Sequence, residues 1–581
     1  MGLNFHYAPY RLPWAAALVS LPSKTVESAT PVASPLDVAV INGPAPLMPA
    51  PDARARPATL GLMMGLALLT LVGGWLRFTA TSFGWPDHYR PDEEYMISRA
   101  LDFQNDWNPH FALYPAAQMY VQHAALWGYG ALTGHRHDFR AAYGADAQAL
   151  AYLVARRVSA AMGTATIPVI YLTAAYGFGI PAGLSAAAIL AFATLAVRES
   201  KFATTDSATV LWLTLALWFV FRMARRGQLA DYVAAGALTG LAVATKYPAG
   251  ALVGGLIVAH FEARAAHGQS WLGGLISPRL YFMGLVCFLV FFCSTPYFFL
   301  DWARTVADFN YQRGYILYGV PNAQAGYGWG WLWLHAMPDS LSWPLLALLA
   351  LAMAWAVLRP RPGTWALMAF IWLTFLGMTQ SHYVFYRYVM IPLPAMVILA
   401  GGFVAAVLAR LQMWVGTHRA VAAIVLALAV LLSPAAIRDV QLDRLLGRCD
   451  TRSLAHQWID AHVPPGSVIA ATAPTTPYGK PPLEWGRYQI VPFVNLAFAR
   501  AQGARWVMSD SFPPLAYYSP GPTPVQLVEL NRHAMLRLDE NPLVAGAPTP
   551  VFDPNDAFYA PLVHIDSMTR PGPRVRIWQL N

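Results

Sequence analysis

The chain has 581 residues, of which 56% are hydrophobic and only 12% are charged. Soluble proteins devote about a quarter of their residues to charge, so this composition excludes a soluble globular protein. The net charge of +9 does not indicate nucleic acid as a partner, because many of the arginines lie in short loops between apolar runs.

The first 56 residues are rich in Pro and Ala and have no sustained hydrophobic period, so we interpret them as a disordered cytoplasmic tail. Beyond them, apolar runs long enough to span a bilayer recur along residues 57–437. They predict about eleven transmembrane helices, at residues 58–76, 152–176, 180–198, 205–222, 231–246, 248–263, 279–297, 342–358, 364–380, 386–409 and 419–437. The expected fold class is a polytopic α-helical membrane protein.

Arginine placement predicts the orientation of these helices, because positive charge accumulates on the cytoplasmic side of membrane proteins. With eleven spans, the arginine-bearing segments all fall on one side; these arginines are Arg54, Arg56, Arg222, Arg225, Arg226, Arg264, Arg279, Arg359, Arg361, Arg410 and Arg419. We therefore expect a bacterial inner-membrane protein with a cytoplasmic N-terminus. The loops 77–151 and 298–341 and the C-terminus would be periplasmic.

The C-terminal region, residues 438–581, has soluble composition and many prolines. Its predicted elements are helices at Thr451–His462 and near Pro524–Leu536, and strands at Ser467–Ala471, Arg505–Ser509 and Arg574–Gln579. This mixture predicts a small periplasmic α/β domain, in which no catalytic motif stands out.

The first predicted periplasmic loop carries three consecutive carboxylates, Asp92, Glu93 and Glu94, which open a helix-like segment running to Phe103. Acidic residues at a helix N-terminus can simply meet the exposed amides. Alternatively, one of them is a general base that activates an acceptor hydroxyl. The moderately apolar run Tyr114–Leu132 follows, and we interpret it as a helix along the periplasmic interface, because another span would invert every later loop.

Further polar residues fall on the same predicted side of the membrane. They are His110, Arg198, Glu199, Lys201, Asp206, Lys246 and Arg387. Charges at this depth are costly and usually functional, although pairing among residues 198–206 is the structural alternative. For His110, a structural role and a metal or phosphate role both stay open. A phosphate leaving group needs cations and a hydroxyl nucleophile needs a base, so their presence at one interface indicates group transfer.

In the order of its motifs, the chain resembles the GT-C class of glycosyltransferases. The resemblance is to the branch of the aminoarabinose transferases and the dolichyl-phosphate-mannose-protein mannosyltransferases, which are protein O-mannosyltransferases, and it covers about residues 58–581. The motifs that carry it are Pro91-Asp92-Glu93, the segment 108–115 (Asn-Pro-His-Phe to Tyr-Pro), Arg157 to Gly163, Ser200 with Asp206, Gly240 to Lys246, Arg387-Tyr388 with Pro392 and Pro394, Asp450 to Ile459, and Pro465-Gly466-Ser467.

This resemblance implies an inverting transferase that takes a sugar from a polyprenyl-phosphate donor at the outer surface of the membrane. It implies that Asp92 is the catalytic aspartate, with Glu93 beside it, and that Asp206 is a second acidic residue near the site. Lys246 and Arg387 would contact the lipid phosphate. The remaining residues expected to bind substrate are Lys201, His110, Tyr114 and Tyr388.

The sequence leaves several properties open. Protein mannosyltransferases have a His-Pro-Pro-Leu-Gly-Lys-like run at the place where this chain has Tyr114-Pro115-Ala116-Ala117. This difference puts a protein acceptor in doubt, and a glycan or a lipid acceptor stays open. Family members differ in whether a divalent metal takes part, so no cofactor is certain. The alternative functions are a transporter or flippase of lipid-linked sugars and a non-catalytic scaffold. A transporter with two repeated halves is disfavoured, because the hydropathy shows no internal repeat.

Overall fold

Long apolar helices make up most of the chain from Arg56 to Leu446, as expected for a membrane protein. The computed structural model describes residues 56–134, 139, 144–319, 328–382, 384–472, 481–483, 486–515, 520–553 and 558–580. The predicted disordered tail, residues 1–56, lies outside them except for Arg56. Residues Thr59–Asn581 form one compact unit, which holds every element and contact described for this protein apart from the first residues of the first helix.

The first half of the membrane region contains nine helices among its described residues. They are α1 (Arg56–Phe78), α2 (Pro91–Asp102), α3 (Ala117–Leu132), α4 (Ala147–Phe178), α5 (Ile180–Ala191), α6 (Thr194–Glu199), α7 (Asp206–Arg226), α8 (Leu229–Thr245) and α9 (Leu252–Ala266). Helix α2 matches the predicted helix-like segment, with a proline and three carboxylates in its first turn.

The second half continues with ten helices in the described ranges. They are α10 (Leu272–Leu275), α11 (Pro278–Ser294), α12 (Tyr297–Leu300), α13 (Trp302–Tyr318), α14 (Gly328–Trp331), α15 (Met337–Leu341), α16 (Trp343–Leu358), α17 (Thr364–Thr379), α18 (Leu393–Val415) and α19 (Thr417–Leu446). Helix α13 lies within the segment 298–341, which was predicted as a periplasmic loop, so much of this segment is helical.

Among the described residues, seven helical segments are long and apolar enough to cross a membrane. They are Leu60–Phe78, Ala147–Phe178, Asp206–Arg226, Tyr247–Ala266, Leu272–Ser294, Leu393–Val415 and Thr417–His462. An eighth arises if Gly328–Leu341 and Trp343–Leu358, which are bent by 117°, count as one span. Three shorter apolar helices, α5, α8 and α17, complete the set. Every predicted span overlaps one of these segments, and the number of crossings stays a prediction. The third span, expected at 180–198, is broken: its apolar helix ends at Ala191, and the short helix Thr194–Glu199 follows.

The tenth predicted span begins later than expected. Residues Tyr386–Met390 form a 3-10 turn, and helix α18 begins only at Leu393. Pro392 and Pro394 have no N–H to donate, so they suit the first turn of a helix and not its interior. The turn places Arg387 and Tyr388 ahead of the membrane helix.

Two of the arginines that predicted the cytoplasmic side, Arg225 and Arg279, lie at one end of the helix bundle, whereas Arg54 lies outside the described residues. Arg225 donates to the carbonyls of Tyr176 and Gly177 at 2.5 and 2.6 Å, and Arg279 donates to the carbonyl of Gly227 at 2.7 Å. Helix α7 has 21 residues and is therefore about 30 Å long. Its first residue, Asp206, thus lies at the opposite end from Arg225.

Helices α8 and α11 approach each other closely at two glycines. A Cβ atom at Gly240 would lie 2.3 Å from the carbonyl oxygen of Cys287, and one at Gly236 would lie 2.6 Å from that of Met283. Small residues allow such close approach of membrane helices. This contact gives a packing reason for the glycine that opens the motif Gly240 to Lys246.

The C-terminal region contains a five-stranded sheet, as expected of an α/β domain. Its strands are β1 (Val468–Ala471), β2 (Gln489–Pro492), β3 (Trp506–Ser511), β4 (Ala534–Glu540) and β5 (Arg574–Leu580), in the order β2-β1-β3-β5-β4. Strands β2 and β3 pair parallel with β1, and β5 pairs antiparallel with β3 and β4. Its helices are α20 (Thr451–His462), α21 (Leu496–Ala501) and α22 (Pro524–His533).

The prediction for this region is wrong at the end of α22. The helix expected near Pro524–Leu536 ends at His533, where Ala534 turns extended and begins β4. Pairing with β5 decides this, since Leu536 lies opposite Trp578 in the sheet. Helix α20 has the predicted bounds, and the Asp450 side chain caps it by accepting from the backbone N–H of Arg452.

Candidate active site

A cavity of about 830 Å³ lies at the end of the bundle opposite Arg225 and Arg279. Helices α2, α13 and α17 contribute to its wall, together with the turns at Tyr247–Ala251 and Tyr386–Met390. Its polar lining includes Arg90, Asp92, Tyr114, Lys246, Arg313, Arg387, Tyr388 and Asp553. Its apolar lining includes Ala251, Leu373, Gly377, Met378 and Ile391. The cavity thus joins a charged region to an apolar one.

Asp92 lies in the first turn of α2 and forms an ion pair with the guanidinium of Arg387. Burial raises the pKa of the Asp92 carboxyl, but the charges of Arg387 and Arg90 outweigh this effect, so its pKa lies below the usual value. The Asp92 side chain is therefore a carboxylate at neutral pH, as a residue that accepts a proton requires.

Asp206 and Lys246 form a second ion pair beside the first. The ammonium of Lys246, which follows the last residue of α8 in an extended conformation, donates to Asp206 at the start of α7. Thr204 also donates to the Asp206 carboxylate, at 3.1 Å. A small recess that shares residues with the cavity wall brings together six of the nine predicted site residues: Asp92, Tyr114, Asp206, Lys246, Arg387 and Tyr388.

Two tyrosines complete this region. Burial raises the pKa of Tyr388 to about 12 and that of Tyr114 well above its usual value, with the negative charge of Asp92 adding to the effect on both. Both phenols are therefore neutral near pH 7 and can donate a hydrogen bond. The Lys246 ammonium lies 5.4 Å from the centre of the Tyr388 ring.

Asp553 reaches this site from the C-terminal region, and sequence reasoning missed it. Its side chain is buried, with 2% of its surface exposed, and it lines the cavity. Its carboxylate accepts from the backbone N–H groups of Tyr386, at 2.6 Å, and of Arg387, at 3.4 Å. Asp553 therefore holds the backbone of the turn that carries Arg387.

Two further cations line the cavity and were not singled out from the sequence. Arg90 is buried, pairs with Glu199 at 3.1 Å, and lies 3.8 Å over the ring of Phe202. Arg313 is exposed on α13 and has no ion-pair partner in the part of the chain that the structure describes. It was missed because the helical character of its segment was not recognised.

The structure does not bring Glu93 to the cavity. Glu93 is fully buried, and its carboxylate makes two hydrogen bonds with Arg156, at 2.8 and 2.7 Å. It also accepts from the backbone N–H of Ala203 at 2.8 Å. All of these contacts join the first loop to helix α4 and to the segment before α7, so they point to a structural role.

Lys201 and His110 also lie away from the cavity lining. Lys201 is fully buried, pairs with Asp443, and donates to the Thr79 carbonyl at 2.8 Å. His110 is exposed and pairs with Asp106 at 2.8 Å. Of the ion pairs considered among residues 198–206, the one between Arg198 and Glu199 forms. Asp206 pairs with Lys246 instead.

The carboxylates of the candidate site are not arranged as ligands of a metal ion. Asp92 and Asp206 each face a cation, and among the described residues no group of three His, Cys, Asp or Glu is arranged to hold a metal. We therefore assign no residue as a metal ligand.

A family model described as dolichyl-phosphate-mannose-protein mannosyltransferase matches residues 151–297. No curated protein matches the chain significantly. Among solved structures, apo ArnT from Cupriavidus metallidurans is similar with 17% identity and a TM-score of 0.50, over 90% of this chain and 98% of that one. ArnT bound to undecaprenyl phosphate gives 17% identity and 0.48 over the same shares.

The Archaeoglobus fulgidus oligosaccharyltransferase tethered with an acceptor peptide has 12% identity and a TM-score of 0.48, over 87% of this chain and 77% of that one. The matched segment and the ArnT-like fold confirm the predicted resemblance to GT-C proteins of the mannosyltransferase and ArnT type. The chain is thus a multi-pass helical membrane protein with a small C-terminal sheet region.

Proposed function

We propose that the protein is a membrane glycosyltransferase that moves a sugar from a polyprenyl-phosphate donor to an acceptor hydroxyl, with inversion at the anomeric carbon. One observation carries this proposal: the ionised carboxylate of Asp92 and the cations of Arg387 and Lys246 meet in one cavity that has an apolar wall. The family model and the ArnT-like fold support the class of reaction.

The donor would occupy both regions of the cavity. The prenyl chain fits the apolar lining from α17 and Ala251, while the phosphate meets Lys246, Arg387 and the exposed Arg313. ArnT, whose fold is similar, binds undecaprenyl phosphate in one of its structures. A lipid of this kind is the product that remains when such a donor has given up its sugar.

The reaction would proceed as a single displacement. Asp92 orients the acceptor hydroxyl and takes its proton while the oxygen attacks the anomeric carbon from the face opposite the phosphate. A new C–O bond forms as the bond to the phosphate oxygen breaks, and polyprenyl phosphate leaves with the electron pair. Lys246 and Arg387 stabilise the charge that develops on the leaving phosphate. One displacement inverts the anomeric carbon.

The reaction side is proposed from topology. The cavity lies at the end of the bundle opposite Arg225 and Arg279, which the positive-inside tendency assigns to the cytoplasm. Transfer would therefore take place on the periplasmic side of a bacterial inner membrane, with the N-terminus in the cytoplasm and the C-terminus outside.

The test is a transfer assay with purified protein, radiolabelled polyprenyl-phosphate sugars and a membrane extract as the acceptor pool. Label is expected to enter a new product with wild type, and Asp92→Asn is expected to reduce the rate by about 100-fold or more. Asp102→Asn, at the exposed end of the same helix, is the matched control. Full activity of Asp92→Asn would overturn the assignment. Movement of the labelled lipid across vesicles without product would favour a transporter.

A further inference from the structure

We propose that the acceptor is a carbohydrate, held at the open end of the cavity by an aromatic subsite formed by Tyr95, Tyr311, Asn310 and Gln312. This inference rests on the proposed function and specifies the class of its second substrate. All four residues line the cavity. They come from α2, which carries Asp92, and from α13, which lies across the cavity wall.

Tyr95 is placed next to the proposed base by the geometry of its helix. It follows Asp92 by three residues, and side chains at this spacing lie on the same face of a helix about 5–6 Å apart. The Tyr95 ring stacks on Phe111, with centroids 5.5 Å apart and planes at 15°. Arg99 lies 4.1 Å over the same Phe111 ring and donates to the Tyr95 carbonyl at 2.9 Å. The ring is thus held from one side, while 44% of the residue stays exposed.

Tyr311 supplies a second exposed ring from α13. It is 56% exposed although it lines the cavity, and its hydroxyl forms a hydrogen bond of 2.6 Å with that of Tyr315. The side-chain amides of its neighbours Asn310 and Gln312 form no hydrogen bond with any residue that the structure describes. The two tyrosines and the two amide-bearing residues thus all contribute to the lining of one cavity.

This combination suits a sugar ring better than other acceptors. A sugar has an apolar C–H face, which an aromatic ring covers, and a rim of hydroxyls, which an amide binds as both donor and acceptor. Tyrosine gives such contact at a low cost in side-chain entropy. A peptide is often held by main-chain pairing with a strand edge, and none of the described cavity-lining residues lies in a strand. A hydroxyl of a ring stacked on Tyr95 would lie beside Asp92.

The identity of the labelled product tests the acceptor class. Wild-type protein transfers label to the membrane extract, and the product is treated with protease and submitted to linkage analysis. We expect a protease-resistant product in which the labelled sugar is joined to a hydroxyl of another sugar. A protease-sensitive product, or a sugar joined directly to a lipid alcohol or phosphate, would overturn the inference but leave the proposed function intact. Absence of any transfer would overturn both.

Variants of the two rings test the subsite. With the acceptor extract titrated at saturating donor, Tyr95→Leu and Tyr311→Leu are each expected to raise the acceptor KM about tenfold, which is about 1.4 kcal/mol, without changing the donor KM. Tyr95→Phe keeps the aromatic ring, so its acceptor KM should rise less than that of Tyr95→Leu. The control is Tyr318→Leu on the same helix, a residue 83% exposed and outside the cavity lining. An unchanged acceptor KM in both Leu variants, or an equal effect of Tyr318→Leu, would overturn the subsite.

Discussion

Asp92 and Arg387, which are 295 positions apart in the chain, form an ion pair at the wall of the cavity. Asp92 opens helix α2, Arg387 lies in the turn before α18, and Asp553 from the C-terminal region binds the backbone of that turn. Three distant segments therefore meet at one point, and a change in any of them should alter transfer.

The transfer rate is expected to stay level between about pH 5 and pH 9. Although burial raises the pKa of Asp92, Arg387 and Arg90 bring it below its ordinary value of about 3.9, so the residue stays ionised throughout this range. Tyr388, with a pKa of about 12, stays neutral. A pH–rate profile of wild type checks this, and an acid limb that Asp92→Glu shifts along the pH axis would contradict it.

Replacement of Arg387 by Gln should reduce both donor binding and stability. The variant removes a proposed phosphate contact and the ion-pair partner of Asp92, so kcat/KM should fall by about 100-fold, with a lower melting temperature. Arg313→Gln is the comparison, because Arg313 is exposed. It should raise the donor KM and change stability by less than about 0.5 kcal/mol. Donor titrations and thermal melts in detergent distinguish the two; equal melting temperatures would speak against this account.

Asp553→Ala should impair transfer although the residue lies far from Asp92 in sequence. It leaves the N–H groups of Tyr386 and Arg387 without their acceptor, which costs about 1–3 kcal/mol. We expect a rate at least about tenfold lower, and a smaller loss for Asp553→Asn, which keeps an acceptor oxygen. Asp539→Ala is the control, because it breaks only a partly exposed pair with Arg574. Wild-type rates for Asp553→Ala would refute this role.

Glu93→Gln should affect stability and not the chemical step. Removal of one partner from a buried ion pair costs about 3–5 kcal/mol, and Arg156 would lose a carboxylate that it contacts twice. The melting temperature should fall while the rate per folded molecule stays near that of wild type. His110→Ala should leave the rate unchanged, because its contacts with Asp106 and Asp301 lie away from the cavity lining. A normal melt with a lost rate would instead place Glu93 among the catalytic residues.

Gly240→Ala should destabilise the contact between α8 and α11. The added Cβ would lie 2.3 Å from the Cys287 carbonyl oxygen, and that backbone must move to accept it. Overpacking of this kind costs about 1–3 kcal/mol. Gly284→Ala on α11 is the matched control, since its Cβ would meet nothing within 4 Å. Thermal melts of both variants decide the question, and equal melting temperatures would contradict the packing account.

Much of the membrane fold could be predicted, because each membrane helix is indicated by a continuous stretch of the sequence. A run of about twenty apolar residues indicates a helix by itself, and α1, α4 and α7 lie where these runs predict them. Strands β2 and β4 were missed because both depend on pairing with partners distant in the chain. Pairing with Trp578 is also what ends the helix before Leu536.

The charged residues of the site could be predicted where they lie close to a membrane span, because burying a charge there costs free energy. Asp206, Lys246 and Arg387 stand out because a charged side chain near a membrane span usually has a function. Asp553 could not be found in this way, because it binds backbone N–H groups that every residue but proline carries. Glu93 and Lys201 look equally functional in sequence; only the positions of Arg156 and Asp443, far along the chain, separate them from the cavity.

The position of Asp553 late in the chain also affects the order in which the site forms during synthesis. A ribosome makes this residue after all of the membrane helices, and domains generally fold in the order of synthesis. The turn that carries Arg387 can insert early, yet its backbone gains the Asp553 contact only when the C-terminal region arrives. In an unfinished chain, the Arg387 side chain could pair with Asp92 while the backbone of its turn still lacks the Asp553 contacts. The proposed transferase would therefore reach its full rate only after the C-terminal region has folded.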